Sequence, residues 1–188
     1  ALTEDIDVSW RLQMRHWDVR FEPNALCWIL MPETLRGLWR QRLRWSMGGT
    51  QVLFSQNGLF GRWRHRRMLP VYLEYFTSVL WAYTMAAVFA LWTLGQFMTL
   101  PPALTIDTLL PGWNGVVIGT TCLLQFAVSM WLDSRYEKGL GRYYYWMIWY
   151  PLAFWVLNVF TTLVAIPKVL FRGRQRATWQ SPDRGLQQ

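Results

Sequence analysis

Cysteine and histidine are nearly missing from this chain of 188 residues: Cys27 and Cys122 are the only cysteines, His16 and His65 the only histidines. Cys27 falls in a polar stretch and Cys122 in an apolar run, so no disulfide between them is expected. Two cysteines also make no metal framework. The histidines have no ligand-like spacing and read as surface or interface residues. A start Met and a signal peptide are missing as well. The chain opens Ala1-Leu2-Thr3-Glu4-Asp5, with nothing upstream to hold an acidic motif, so it reads as a fragment of a longer protein or one half of a split one. There is no internal repeat and no low-complexity segment, which excludes a repeat array. Acids are scarce, 11 against 19 basic residues, for a net charge of +8.

What is present is aromatic and unevenly distributed. The chain holds 14 Trp, and Trp and Tyr favour membrane interfaces, where an apolar ring keeps a wet N–H or O–H. The mean hydropathy is barely positive. That average hides a split: residues 1–70 are charged and aromatic, while residues 71–171 are mostly apolar. The arginines flank apolar spans. Anionic lipid headgroups, or the phosphates of a nucleotide substrate, explain them better than nucleic acid does.

Residues 7–17 predict a short helix with Trp10, Met14 and Trp17 on one stripe. Thr3 or Asp5 is placed to cap it. Residues 19–21 and 25–29 read as two short extended runs broken by Pro23-Asn24. Two such strands make no stable sheet alone and call for partners elsewhere. Residues 32–47 predict a second helix, stopped by Gly48-Gly49. Leu35, Leu38, Trp39 and Leu43 share one face, opposite Arg36, Arg40 and Arg44, the pattern of a helix lying in a membrane interface. A connector with Arg62, Arg64, Arg66 and Arg67 leads to three candidate spans at about 71–97, 114–132 and 143–166. The organisation expected is therefore residues 1–31 as the end of a cytosolic domain, 32–70 as interfacial helix and connector, 71–171 as membrane region and 172–188 as basic tail. The stretch 98–113 contains no Lys or Arg, whereas Arg135, Lys138 and Arg142 follow the second span, so the first loop is expected outside and the second inside. Three full crossings would put the basic tail outside, against that rule.

Two motifs carry chemistry. Thr3-Glu4-Asp5 alone is weak, since a helix cap with acids in its first turn has the same look. Asp5-Ile6-Asp7 also reads as a metal-binding pair, but on a helix the two side chains point about 200° apart. Gln41-Arg42-Leu43-Arg44-Trp45 is more specific. An Arg-rich amphipathic helix accounts well for Arg36, Arg40 and Arg42, and less well for Gln41 and Trp45, which lie off the apolar centre. An indole face suits a sugar ring, and an Arg fork matches diphosphate oxygens.

These motifs, with Phe21-Glu22-Pro23, with Cys27-Trp28-Ile29-Leu30-Met31-Pro32-Glu33-Thr34-Leu35 and with Trp179-Gln180-Ser181-Pro182-Asp183-Arg184-Gly185, make the chain resemble the processive membrane glycosyltransferases of family 2. The Cys27 to Leu35 run is similar to the branch of bacterial poly-β-1,6-N-acetylglucosamine synthases. The resemblance implies the end of an α/β, GT-A-like catalytic domain followed by an interfacial helix and an α-helical membrane region. It implies an enzyme of the bacterial inner membrane, catalytic part in the cytosol, that polymerises UDP-N-acetylglucosamine into a biofilm polysaccharide and helps export it. In that reading Asp5 is the general base, Glu4 orients it, Thr3, Gln41 and Arg44 contact substrate, and Trp45 stacks on the acceptor sugar. A divalent metal, Mg or Mn, is expected, with its ligands and the uridine pocket outside this chain. Expected partners are the growing polysaccharide, the bilayer, a small membrane subunit and cyclic di-GMP, the last at Arg172, Arg174 and Arg176. Trp81, Trp92, Trp146, Trp149 and Trp155 are either sugar-facing or lipid-facing. The alternatives are a chitin, hyaluronan or cellulose type of synthase, or a membrane subunit without catalysis that binds a regulator.

Overall fold

The computed structural model describes residues 2–27, 29, 31–56, 63–109 and 112–172. Five α-helices are found among them: α1 (Glu4–Met14), α2 (Leu35–Ser55), α3 (Leu69–Gly95), α4 (Trp113–Asp133) and α5 (Tyr150–Arg172). Shorter 3-10 segments cover Trp63–Met68, Pro102–Leu104 and Leu140–Ile148. The described residues contain no strand. The expected extended runs are therefore not strands here, and no α/β layer is seen among the described residues: residues 19–21 and 25–27 are irregular, with a turn at Pro23-Asn24 held by Glu22, which accepts from the Asn24 N–H at 3.0 Å and from Asn24 Nδ2 at 2.9 Å. Short extended runs without a neighbouring strand gain no ladder hydrogen bonds, and these have none here.

The chain divides into two compact units, Ala1–Tyr83 with Asn158–Gln188, and Thr84–Leu157. The first has a small core of Trp10, Val52, Leu53, Met68 and Tyr72, with Met14, Leu69 and Tyr75 packed against it. Trp10 sets the tilt of α1, its ring 6.3 Å from that of Tyr72. The helix stops early because His16 turns left-handed at φ 67°, and the Trp17 N–H donates back to the Leu12 carbonyl at 3.0 Å. Such a turn satisfies carbonyls that the helix end would otherwise leave bare. Trp17 therefore leaves the expected stripe and is exposed.

Helix α2 is entered through a sequence-local cap. Thr34 Oγ1 accepts from the Gly37 N–H at 3.0 Å. It then runs straight through Gly48-Gly49, where the sequence suggested a stop. The two glycines are buried at close approaches, so tertiary contact overrides their poor helix propensity. Val52 and Leu53 complete the buried half of the helix, while Leu35 at its start is exposed. Tyr75 of α3 and Thr161 of α5 clamp Ser46: Tyr75 Oη donates to the Ser46 carbonyl and Ser46 Oγ to Thr161 Oγ1, both at 3.5 Å. Tyr83 adds a tie between α3 and α5 by donating to the Leu163 carbonyl at 3.3 Å.

In the second unit, Tyr144 of the Leu140–Ile148 segment donates to the Leu123 carbonyl of α4 at 2.9 Å. Phe89 and Trp155 meet with ring centroids 6.4 Å apart. The last α-helix begins at Tyr150 and not near residue 143. Pro151 suits this start, since its fixed φ and missing N–H fit the first turn of a helix; α5 also carries Pro167 in its interior. Three helices have the length and apolarity to cross a bilayer core of about 30 Å: His65–Gly95, Gly115–Asp133 and Tyr150–Phe171. Only 6%, 0% and 17% of their most apolar windows are buried, which leaves their side chains to an apolar solvent.

Candidate active site

The two sequence motifs meet on α2. Residues 41, 44, 45, 48 and 51 of a helix occupy one face about 120° wide. Gln41, Arg44 and Trp45 stand on that face of α2, and Gly48 follows Trp45 by one turn, about 4.5 Å along the axis. Thr3 is buried at Gly48: a Cβ on that glycine would lie 2.6 Å from Thr3 Oγ1 and Cγ2 and 2.7 Å from the Thr3 nitrogen. Beside it, the Leu2 N–H donates to Gln51 Oε1 at 3.1 Å. The start of the acidic motif is thus seated on the helix of the Gln-x-x-Arg-Trp motif.

The expected side chains differ in exposure. Thr3 occupies the N-cap position of α1 but makes no side-chain cap; its hydroxyl is buried without a hydrogen-bond partner. Gln41 Oε1 is likewise buried and unpartnered. A buried acceptor left unpaired costs about 1–3 kcal/mol. Glu4 and Asp5 are exposed in the first turn of α1 and form no ion pair among the described residues. Asp7 is different. It is buried, and its carboxylate takes a two-point contact from Arg11, at 3.0 Å from Nε and 2.9 Å from Nη2. With Asp7 so occupied, and no group of three metal-ligating side chains among the described residues, those residues do not fit a divalent cation.

Arg44 is half-buried and Trp45 keeps 42% of its surface exposed. The Arg42 guanidinium lies 4.5 Å from the Trp45 ring centroid, a cation–π contact that fixes one face of the indole. Sequence reasoning assigned Arg42 only to the basic surface; its spacing of three from Trp45 was the available signal. Gly48 and Gln51 were also missed, since nothing in their local sequence marks a contact with residues 2 and 3. Of the remaining candidates, Trp81, Trp146 and Trp149 are exposed, and Trp155 packs on Phe89. Arg172 ends α5, while Arg174 and Arg176 lie outside the described residues.

The profile of glycosyl transferase family group 2 matches residues 1–158. The chain is 37% identical over 188 residues to the poly-beta-1,6-N-acetyl-D-glucosamine synthase of Staphylococcus aureus (strain COL), an overlap of 98% of this chain and 45% of that protein. The synthase of Staphylococcus aureus (strain N315) gives the same figures. That of Staphylococcus epidermidis is 34% identical over 185 residues, 98% of this chain and 45% of the relative. The chain thus spans slightly less than half the length of these curated relatives. No solved structure matches it. A profile match over most of the chain, on residues that bring an acidic motif and an Arg-Trp motif onto one helix, places it in a single group: the chain belongs to glycosyl transferase family group 2.

Proposed function

We propose that this chain is the C-terminal part of a processive, inverting N-acetylglucosaminyltransferase that builds a β-1,6-linked exopolysaccharide from UDP-N-acetylglucosamine at the cytoplasmic membrane. The observation that carries the reading is the seating of Thr3 on Gly48, which brings Thr3-Glu4-Asp5 to the helix of Gln41, Arg44 and Trp45. Similarity to synthases named for this polymer supports the sugar and linkage. The GT-A-like α/β core, with the uridine pocket and the metal ligands, belongs in this reading to the part of the enzyme that this segment does not include.

The chemistry is a displacement at the anomeric carbon. The acceptor hydroxyl attacks, a new C–O bond forms, the bond to UDP breaks, and UDP carries away the electron pair. Asp5 takes the acceptor proton, a role an exposed carboxylate fills once a hydroxyl comes within hydrogen-bond distance. Glu4 orients it. Arg44 offers a fork to the diphosphate, and the free Gln41 oxygen accepts from a substrate N–H or O–H. Trp45, held from one side by Arg42, stacks on the acceptor ring. The apolar helices embed the enzyme in the bilayer and line the exit path of the polymer together with a small membrane subunit. Cyclic di-GMP acts through Arg172, Arg174 and Arg176; unchanged activation when all three are replaced by Gln would remove that element.

Linkage analysis of the product tests the reading. The intact enzyme, reconstituted in lipid with UDP-N-acetylglucosamine, is expected to release UDP and to make a polymer linked only β-1,6. A β-1,4 product would assign the chain to a chitin type of synthase, and no UDP release would make it a subunit without catalysis.

A further inference from the structure

We infer that Gly48 and Gln51 are positioning residues for sugar transfer: they form a clasp on α2 that sets where the carboxylates of the first turn of α1 stand. The inference rests on the reading of Asp5 as the general base.

The geometry is specific to the start of the acidic motif. Gly48 and Gln51 are three residues apart and so share a face of α2. Gly48 takes Thr3 so closely that any Cβ would press on the Thr3 backbone nitrogen as well as on its side chain. A flexible side chain could swing away from such a clash, but a backbone atom carries the chain with it. Gln51 holds the preceding residue through the bond from the Leu2 N–H, at 3.1 Å. Leu2 and Thr3 are thereby fixed on two atoms just before α1 begins at Glu4. The other anchor of α1 is Trp10, buried in the core about 9 Å further along the helix axis. Trp10 holds the body of the helix, and the clasp holds its catalytic end.

The clasp also sits in register with the substrate-facing residues. Gly48 is one turn beyond Trp45, so the distance from Asp5 to the acceptor platform depends on how deeply Thr3 seats. A Cβ at position 48 displaces the first turn of α1 while Gln41, Arg44 and Trp45 stay in place. The expected result is a folded enzyme that binds both substrates and transfers slowly. Misplacement by about 1 Å costs a reacting group about 100-fold in rate.

The test uses the intact enzyme in detergent or lipid. Gly48→Ala is expected to lower kcat by about 10- to 100-fold while the KM for UDP-N-acetylglucosamine stays within about threefold, with a lowered melting temperature because its Cβ meets backbone. Gln51→Ala should act in the same direction. Gln51→Glu should recover most of kcat, because a carboxylate still accepts from the Leu2 N–H; a merely structural residue would show no such rescue. Wild-type kcat in both Gly48→Ala and Gln51→Ala would overturn the inference. If Gly48→Ala fails to fold, the Gln51 pair decides, and equal loss in Gln51→Ala and Gln51→Glu overturns it. Asp5→Asn, run in parallel, separates the two readings. An inactive Asp5→Asn beside clasp variants of normal kcat sinks the clasp alone. An active Asp5→Asn beside slowed clasp variants sinks the base assignment and, with it, the role given to the clasp in placing that base.

Discussion

Replacing Trp45 with Ala should slow polymer elongation while leaving donor hydrolysis in the folded enzyme nearly unchanged. The indole is 42% exposed. A Trp side chain presents about 150–250 Å² in total, so roughly 60–100 Å² remains for a sugar ring to cover. At about 25 cal/mol per Å², that area is worth about 1.5–2.5 kcal/mol of acceptor positioning. Its loss corresponds to a drop of about 10- to 70-fold in kcat/KM for elongation. Stability falls as well: the covered part of the side chain, roughly 90–145 Å², is worth about 2–3.5 kcal/mol at the same coefficient, and the Arg42 contact, 4.5 Å from the ring centroid, adds about 0.5–1 kcal/mol. Trp45→Phe keeps a ring for both partners and should lose about 3- to 5-fold. The assay compares incorporation of labelled N-acetylglucosamine into polymer with release of UDP into water. Donor hydrolysis should be nearly unchanged in Trp45→Ala, because stacking places the acceptor and does not activate the donor. Wild-type elongation in both Trp45→Ala and Trp45→Phe would reduce the residue to an interfacial anchor.

Two further outcomes follow from packing and from charge. Gly49→Ala should destabilise the first unit by about 1–3 kcal/mol, since its Cβ would lie 2.6 Å from Tyr75 Cζ; Gly119→Ala, which meets nothing within 4 Å, should be neutral or slightly stabilising, and equal melting temperatures for the two variants would refute the close-approach argument. Thr105→Cys, made after removing the exposed Cys27 and Cys122, should react with a membrane-impermeant reagent from outside intact cells, because the stretch 98–113 has no Lys or Arg; labelling only after lysis would invert the topology.

Hydropathy and spacing made much of this architecture readable. Apolar length marks the three long helices, and the placement of Gln41, Arg44 and Trp45 on one face follows from helical period alone. The failures came where distant contacts outweigh local preference. Gly48-Gly49 looked like a helix stop because an isolated glycine pair is a poor helix former, yet Thr3 and Tyr75 need both positions bare. Trp17 matched the period of α1, but one left-handed residue, His16, ended the helix before it. Residues 19–21 have strand-forming composition and no ladder, since strand formation depends on neighbours more than on the segment itself. The first turn of the last helix was misplaced because Tyr143 to Trp149 is apolar enough to extend it, while only Pro151 marks the start. The hold of Gln51 on Leu2 spans 49 residues of sequence and has no local signal at all.

The central claim is that Asp5 takes the acceptor proton at a site completed by α2. The direct measurement is the rate of UDP release and polymer formation by the intact enzyme carrying Asp5→Asn, with UDP-N-acetylglucosamine binding measured on the same sample. Asn keeps the shape of the side chain and removes its basicity. The account predicts a fall in turnover on the order of 10²–10⁴-fold with donor affinity and melting temperature retained. Near-normal turnover by Asp5→Asn would contradict it.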